Sequence, residues 1–128
     1  MRVAIASSDY TKVSGHAGRA RKWLLFDVSE DGSMGAPSRV ELEAEMVFHY
    51  FEHDRPHPLD GIHAIIAHSA GEGFLKHMEK RGITVALTAE TDAVKAVAGY
   101  LAETLSPPKP RPIGALLCKT LDLFSKHK

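Results

Sequence analysis

Apolar and polar positions change period several times along this chain, and each change marks a new element. Arg2 to Ser8 opens with the run Val3-Ala4-Ile5-Ala6, and Lys22 to Val28 carries Trp23, Leu24, Leu25 and Phe26 almost without interruption. Both read as buried strands. Asp31-Gly32 and Gly35 mark a turn region after the second. From Val40 the even positions Val40, Leu42, Ala44, Met46, Phe48 and Tyr50 are apolar, whereas Arg39, Glu41, Glu43 and Glu45 face the other way. That period of two predicts a third strand at about 38 to 44. Met46, Val47, Tyr50 and Phe51 also fit one helical face, so a short helix is expected to follow it.

Pro56 and Pro58 interrupt any helix, and Ile62 to Ala67 is a compact apolar run of the kind buried in parallel sheets. Gly71 to Arg81 reads as a helix with Phe74, Leu75 and Met78 on one face and Gly82 as its stop, before a strand from Ile83 to Leu87. Thr91 is the expected N-cap of a last helix reaching Leu105, with Ala93, Val94, Val97, Leu101 and Leu105 on one side. Strand, helix, strand, helix implies right-handed crossovers and a parallel portion of sheet.

The run from Ser106 to Pro112 holds four prolines in seven residues and reads as a stiff extended spacer with about 20 Å of reach. Beyond it Ile113, Leu116, Leu117, Leu121 and Phe124 recur at helical spacing, which predicts an amphipathic helix over 113–128. That helix packs on its own domain or meets a partner, a second copy included. The chain therefore divides into a domain at 1–105, the spacer at 106–112 and the tail helix.

Composition narrows the function classes. The chain has 128 residues, 44% hydrophobic, with sixteen basic and sixteen acidic side chains, so the whole-chain charge leaves no footprint for nucleic acid. No apolar run is long enough to span a membrane, and no charged-then-apolar leader opens the sequence, so a cytoplasmic protein is expected. The single Cys118 excludes an internal disulfide; it is a small packed hydrophobe or a soft thiolate. Eight histidines stand out.

His16 is set with Arg19 in Ser14-Gly15-His16-Ala17-Gly18-Arg19-Ala20, directly after the first strand. Glycine lets backbone approach a ligand closely, imidazole binds metals, and guanidinium binds anions. If the first and fourth strands are neighbours, His16 and His68 both leave the carboxyl edge of the sheet, where open α/β sheets place ligands. His49, His53 and His57 recur every four residues. On a helix His49 and His53 would stand about 6 Å apart and could share a divalent metal; on a strand about 13 Å would separate them. Pro56 and Pro58 let His57 join only if the chain folds back, and Glu52 or Asp54 could complete the set. His63 and His77 read as satisfied or exposed histidines.

The order of these motifs resembles the dinitrogenase iron-molybdenum cofactor biosynthesis family, the NifX/NafY-like proteins. The resemblance covers residues 1 to about 105. It rests on Arg2-Val3-Ala4-Ile5-Ala6, the Ser14 to Ala20 loop, His57-Pro58-Leu59-Asp60-Gly61-Ile62, the glycine turn Gly71-Glu72-Gly73-Phe74 and Gly82-Ile83. Ala17 stands where the family commonly has an aromatic residue, and Glu72 lies inside a usually neutral turn. The resemblance implies an α/β ribonuclease H-like three-layer fold: a mixed five-stranded sheet of order 3-2-1-4-5 with strand 2 antiparallel, flanked by helices. It also implies non-catalytic binding or carriage of an iron-sulfur or iron-molybdenum cluster or its precursor, with a donor or acceptor protein as partner. His16, Arg19, Gly15, Gly18, His68, Gly71 and Gly73 are then the residues expected to hold the cluster. Two other readings remain: a metal-dependent ribonuclease H-like hydrolase, for which only Asp9 is well placed, and an interaction module working through the tail helix, as in a homodimer.

Overall fold

The computed structural model describes residues 1–51 and 55–108. Its strands are β1 (Arg2–Ala6), β2 (Lys22–Asp27), β3 (Ser38–Glu41), β4 (Ala64–Ala67) and β5 (Thr84–Leu87); its helices are α1 (Glu72–Lys80) and α2 (Ala93–Ala102). The strands form one sheet in the order β3-β2-β1-β4-β5. β2 is antiparallel to β1 and β3, and β4 is parallel to β1 and β5. The α/β class and the strand order, with strand 2 antiparallel, are therefore as the family resemblance implied.

Alternation along the central strands sorts side chains between two cores. Ala4, Ala6, Trp23, Ile65 and Ala67 face Phe74 and Met78 of α1, together with Leu42, Phe48, Phe51 and Leu59 from the segment after β3. Val3, Ile5, Leu24, Phe26, Ala64 and Ile66 face Ala93, Ala96 and Val97 of α2. With helices on both faces, β1 and β4 are buried on both, which is why they read as continuous apolar runs rather than alternating ones.

The differences from expectation lie at element ends. After β3 the chain makes only a 3-10 turn at Ala44–Met46, and residues 47–50 are bend and turn, not helix. Val47, Phe48 and Phe51 all point into the core, with Phe48 edge-on to Trp23 at 6.0 Å and to Phe74 at 5.3 Å. Aromatic anchoring, not helical hydrogen bonding, fixes this stretch.

The cap of α2 is Asp92 rather than Thr91: its carboxylate accepts from the Lys95 N–H. α2 ends at Ala102 because Glu103 turns into the left-handed region, and Leu105 folds back onto Gly99. The expected stop of α1 holds, Gly82 having φ +73 and donating its N–H to Glu79. The predicted helix over 113–128 lies outside the described residues. Among the described residues no helix is long and apolar enough to cross a membrane.

Candidate functional site

β1 and β4 are parallel neighbours, so the loops that follow them leave the same sheet edge. They are joined by backbone: the Ala17 N–H donates to the Ser69 carbonyl at 2.8 Å, beside a parallel bridge between His16 and Ser69. Gly15, at φ +81, provides the reversal that sends the chain into this join. His16 then caps a 3-10 turn over Ala17–Arg19, its Nδ1 accepting the Gly18 N–H at 3.1 Å. A neutral imidazole that accepts at Nδ1 carries its proton on Nε2. The ring lies against Gly18 and Gly71, where added Cβ atoms would come within 3.2 Å and 3.9 Å of it. Glycine at 18 thus lets the ring approach this closely, since a Cβ there would oblige the ring to shift by a few tenths of an ångström.

This ring borders a cleft of about 380 Å³ lined by His16, Gly18, Phe48, His49, Phe51, Gly71, Gly73, Phe74 and His77. Its size suits a small ligand. Three imidazoles, three phenylalanines and the start of α1 share this lining. The first N–H groups of a helix lack intrahelical acceptors and carry the positive end of its dipole, which favours an anion there. Glu72, the acid inside the glycine turn, is exposed and is not part of the lining. A second hollow of about 410 Å³, between α1 and β5, has Glu79 as its only titratable lining residue.

Five residues expected from sequence meet in the cleft: His16, Gly18, His49, Gly71 and Gly73. His49 arrives because its backbone N–H donates to the Gly18 carbonyl at 2.7 Å, tying the turn after β3 to the His16 loop. Gly15 and Arg19 flank the cleft in sequence without lining it, and Arg19 is exposed. His68 is also outside the lining, its Nδ1–H donating to the Thr88 carbonyl at 2.8 Å toward β5. His16 and His68 are therefore not brought together in this cleft, whose lining histidines are His16, His49 and His77. His77 was not legible as a site residue, although it stands four positions after Gly73 on α1 and so shares its face; that spacing was the available signal.

The histidine triplet resolves differently. His49 lies in a turn, not on a helix; His53 itself lies outside the described residues. His57 is 6% exposed, stacked on Phe48 at 4.2 Å and edge-on to Phe51 at 4.7 Å. Its Nε2–H donates to the Met46 carbonyl at 2.6 Å, and its Nδ1 accepts the Leu59 N–H at 3.0 Å. Both ring nitrogens are thus engaged by backbone, so His57 is a core histidine here and not a ligand. Burial pushes its pKa down, against the smaller upward effect of the Met46 carbonyl. Arg81 braces the same segment, bonding the Asp60 carboxylate at 2.5 Å and the Arg55 carbonyl at 2.9 Å.

Among the described residues no three His, Cys, Asp or Glu side chains converge closely enough to hold a metal ion together. Asp9, the acid on which a hydrolase reading depends, accepts the N–H groups of Thr11 and Lys12, each at 2.9 Å, and these bonds lower its pKa to about 2. Asp27 pairs with Arg2 at the opposite end of the sheet.

Fold and cleft together define a three-layer α/β protein with a histidine-lined cleft at the carboxyl edge of its parallel strands. The chain belongs to the dinitrogenase iron-molybdenum cofactor family, whose model matches residues 1–103. Among solved structures, the protein PH0822 is 21% identical, with a TM-score of 0.65 over 84% of this chain and 94% of that one. A protein described as a candidate dinitrogenase from Methanocaldococcus jannaschii is 17% identical, with a TM-score of 0.62 over 83% and 92%. The apo form of the orange protein from Desulfovibrio gigas is 16% identical, with a TM-score of 0.57 over 83% and 91%. At these identities the likeness is one of fold. No curated protein matches the sequence.

Proposed function

We propose that this protein is a non-catalytic cytoplasmic carrier that holds an iron-sulfur or iron-molybdenum cluster, or a precursor of one, in the cleft bordered by His16, and passes it between a donor and an acceptor protein. The observation that carries this reading is the convergence of His16, His49, His77 and the glycine-rich start of α1 on one cleft of ligand size. Family membership supplies the class of cargo.

The chemistry suits an anionic cluster. His16, with its proton on Nε2, donates a hydrogen bond to a peripheral sulfide; ligating a metal through that nitrogen requires loss of the proton, or its transfer to Nδ1 with loss of the Gly18 bond. The first turn of α1 adds backbone donors, and Arg19, next in sequence to the lining residue Gly18, offsets negative charge. The three phenylalanines make part of the lining apolar, which disfavours water beside the cargo. His49 and His77 are further donors for a cluster or a divalent metal. His68 acts at one remove, holding the neighbouring loop through the Thr88 carbonyl.

Reconstitution without oxygen tests this. Wild-type protein is expected to acquire cluster absorption that His16→Ala greatly weakens while the fold, read by circular dichroism, is kept. Equal absorption in the two proteins contradicts the assignment of His16.

A further inference from the structure

The outward face of α2 is apolar and uncovered. Val94 is 55% exposed and Leu101 36%, two turns apart with exposed Ala98 between them. Large exposed hydrophobics among the described residues are Met1, Tyr50, Val94 and Leu101, so two of them share this one stripe. α2 does not need it for its own anchoring, because Ala93, Ala96 and Val97 bury the neighbouring face; of the residues expected on one side, Ala93 and Val97 are buried while Val94 and Leu101 are left exposed. The helix is flanked by acids, Glu90 and Asp92 before it and Glu103 after it.

The course of the chain brings its own remaining segment to this place. After α2, Leu105 packs on Gly99, Thr88 Oγ1 donates to the Ser106 carbonyl at 2.7 Å, and the Ala89 N–H donates to the Pro107 carbonyl at 3.0 Å. The backbone is thus tied down beside the start of α2, and residues 109–128 continue from there. That segment carries Ile113, Leu116, Leu117, Leu121 and Phe124 at helical spacing, and Lys109, Arg111, Lys119, Lys126 and Lys128 against a single acid, Asp122.

Extended proline-rich backbone advances about 3 Å per residue, so a stretch to Pro112 of that kind would reach about 12 Å, comparable with the roughly 15 Å length of α2. A stripe two turns long is too small for a stable dimer, which buries about 1,200 Å² or more; a tethered segment needs far less, because its effective concentration is already high.

We propose that residues 113–128 form a helix that packs in cis on α2, laying its Ile113, Leu116, Leu117, Leu121 and Phe124 face over Val94, Ala98 and Leu101, with its cations near Glu90, Asp92 and Glu103. The chain's single cysteine, Cys118, makes the test direct. A nitroxide attached to Cys118 of the full chain is expected to broaden the amide resonances of Val94, Ala98 and Leu101. Val94→Glu combined with Leu101→Glu, at exposed positions, is expected to abolish that broadening and leave the rest of the spectrum in place.

A second measurement avoids the label: backbone amides of 113–124 are expected to exchange slowly in the unmodified chain and at least tenfold faster in the double variant. Broadening centred elsewhere, or exchange unchanged by the variant, overturns the proposal. Broadening seen only between labelled molecules and separate isotope-enriched molecules overturns it in favour of a second copy.

Discussion

His57 is neutral in the folded chain because its ring is closed in by Phe48 and Phe51 and because Nδ1 must stay unprotonated to accept from Leu59. Protonation would set two donors against each other there. With the folded pKa below the unfolded value of about 6.5, the unfolded chain binds more protons in acid, and stability rises with pH between the two values. The melting temperature is therefore expected to fall as pH drops from 7 toward 5. His57→Leu should flatten this His57-linked part of the profile while costing about 1–3 kcal/mol at neutral pH, because the Met46 carbonyl and the Leu59 N–H lose their partner. An unchanged pH profile in the variant would sink this account.

Gly18 gives a second expectation at the same scale. A Cβ there would stand 3.2 Å from His16 Cε1, so Gly18→Ala must displace the ring. Cluster binding should weaken with little loss of thermal stability. A variant that binds as wild type would show that the ring position is not what the cargo reads.

Most elements were legible because each has a strong period or strong punctuation. The apolar runs of β1, β2 and β4, the period of two in β3 and the glycine stop of α1 all led to the right element. Segment 44–51 was not, since Met46, Val47, Phe48 and Phe51 satisfy strand and helix templates about equally; the tie was decided by Trp23, Phe74 and His57, far away in sequence. The start of α2 was missed by one residue. Thr91 and Asp92 are both good caps, but Asp92 is the one whose carboxylate reaches Lys95. Asp92→Ala should consequently cost about 1 kcal/mol in chemical denaturation, and Thr91→Ala markedly less. The reverse order would reinstate the longer helix.

At the scale of the molecule, adjacency of β1 and β4 brings two separate glycine loops to one cleft. That much followed from a sheet order which the family resemblance implied, and the Ala17–Ser69 hydrogen bond makes it physical. What sequence could not supply was direction. His68 points along the edge to Thr88, His57 points into the core, and His77 points into the cleft, although all three are histidines near glycine or proline. Orientation of an imidazole depends on which carbonyl lies within reach, and that is set by tertiary packing.

If the cleft carries a metal-containing cargo, the full chain purified without oxygen holds iron, with or without molybdenum, in fixed ratio to protein in the wild type and loses it in His16→Ala, as direct metal analysis would read. Metal-free wild-type protein that also fails to take up cluster on reconstitution, or a metal content indifferent to His16, would contradict it.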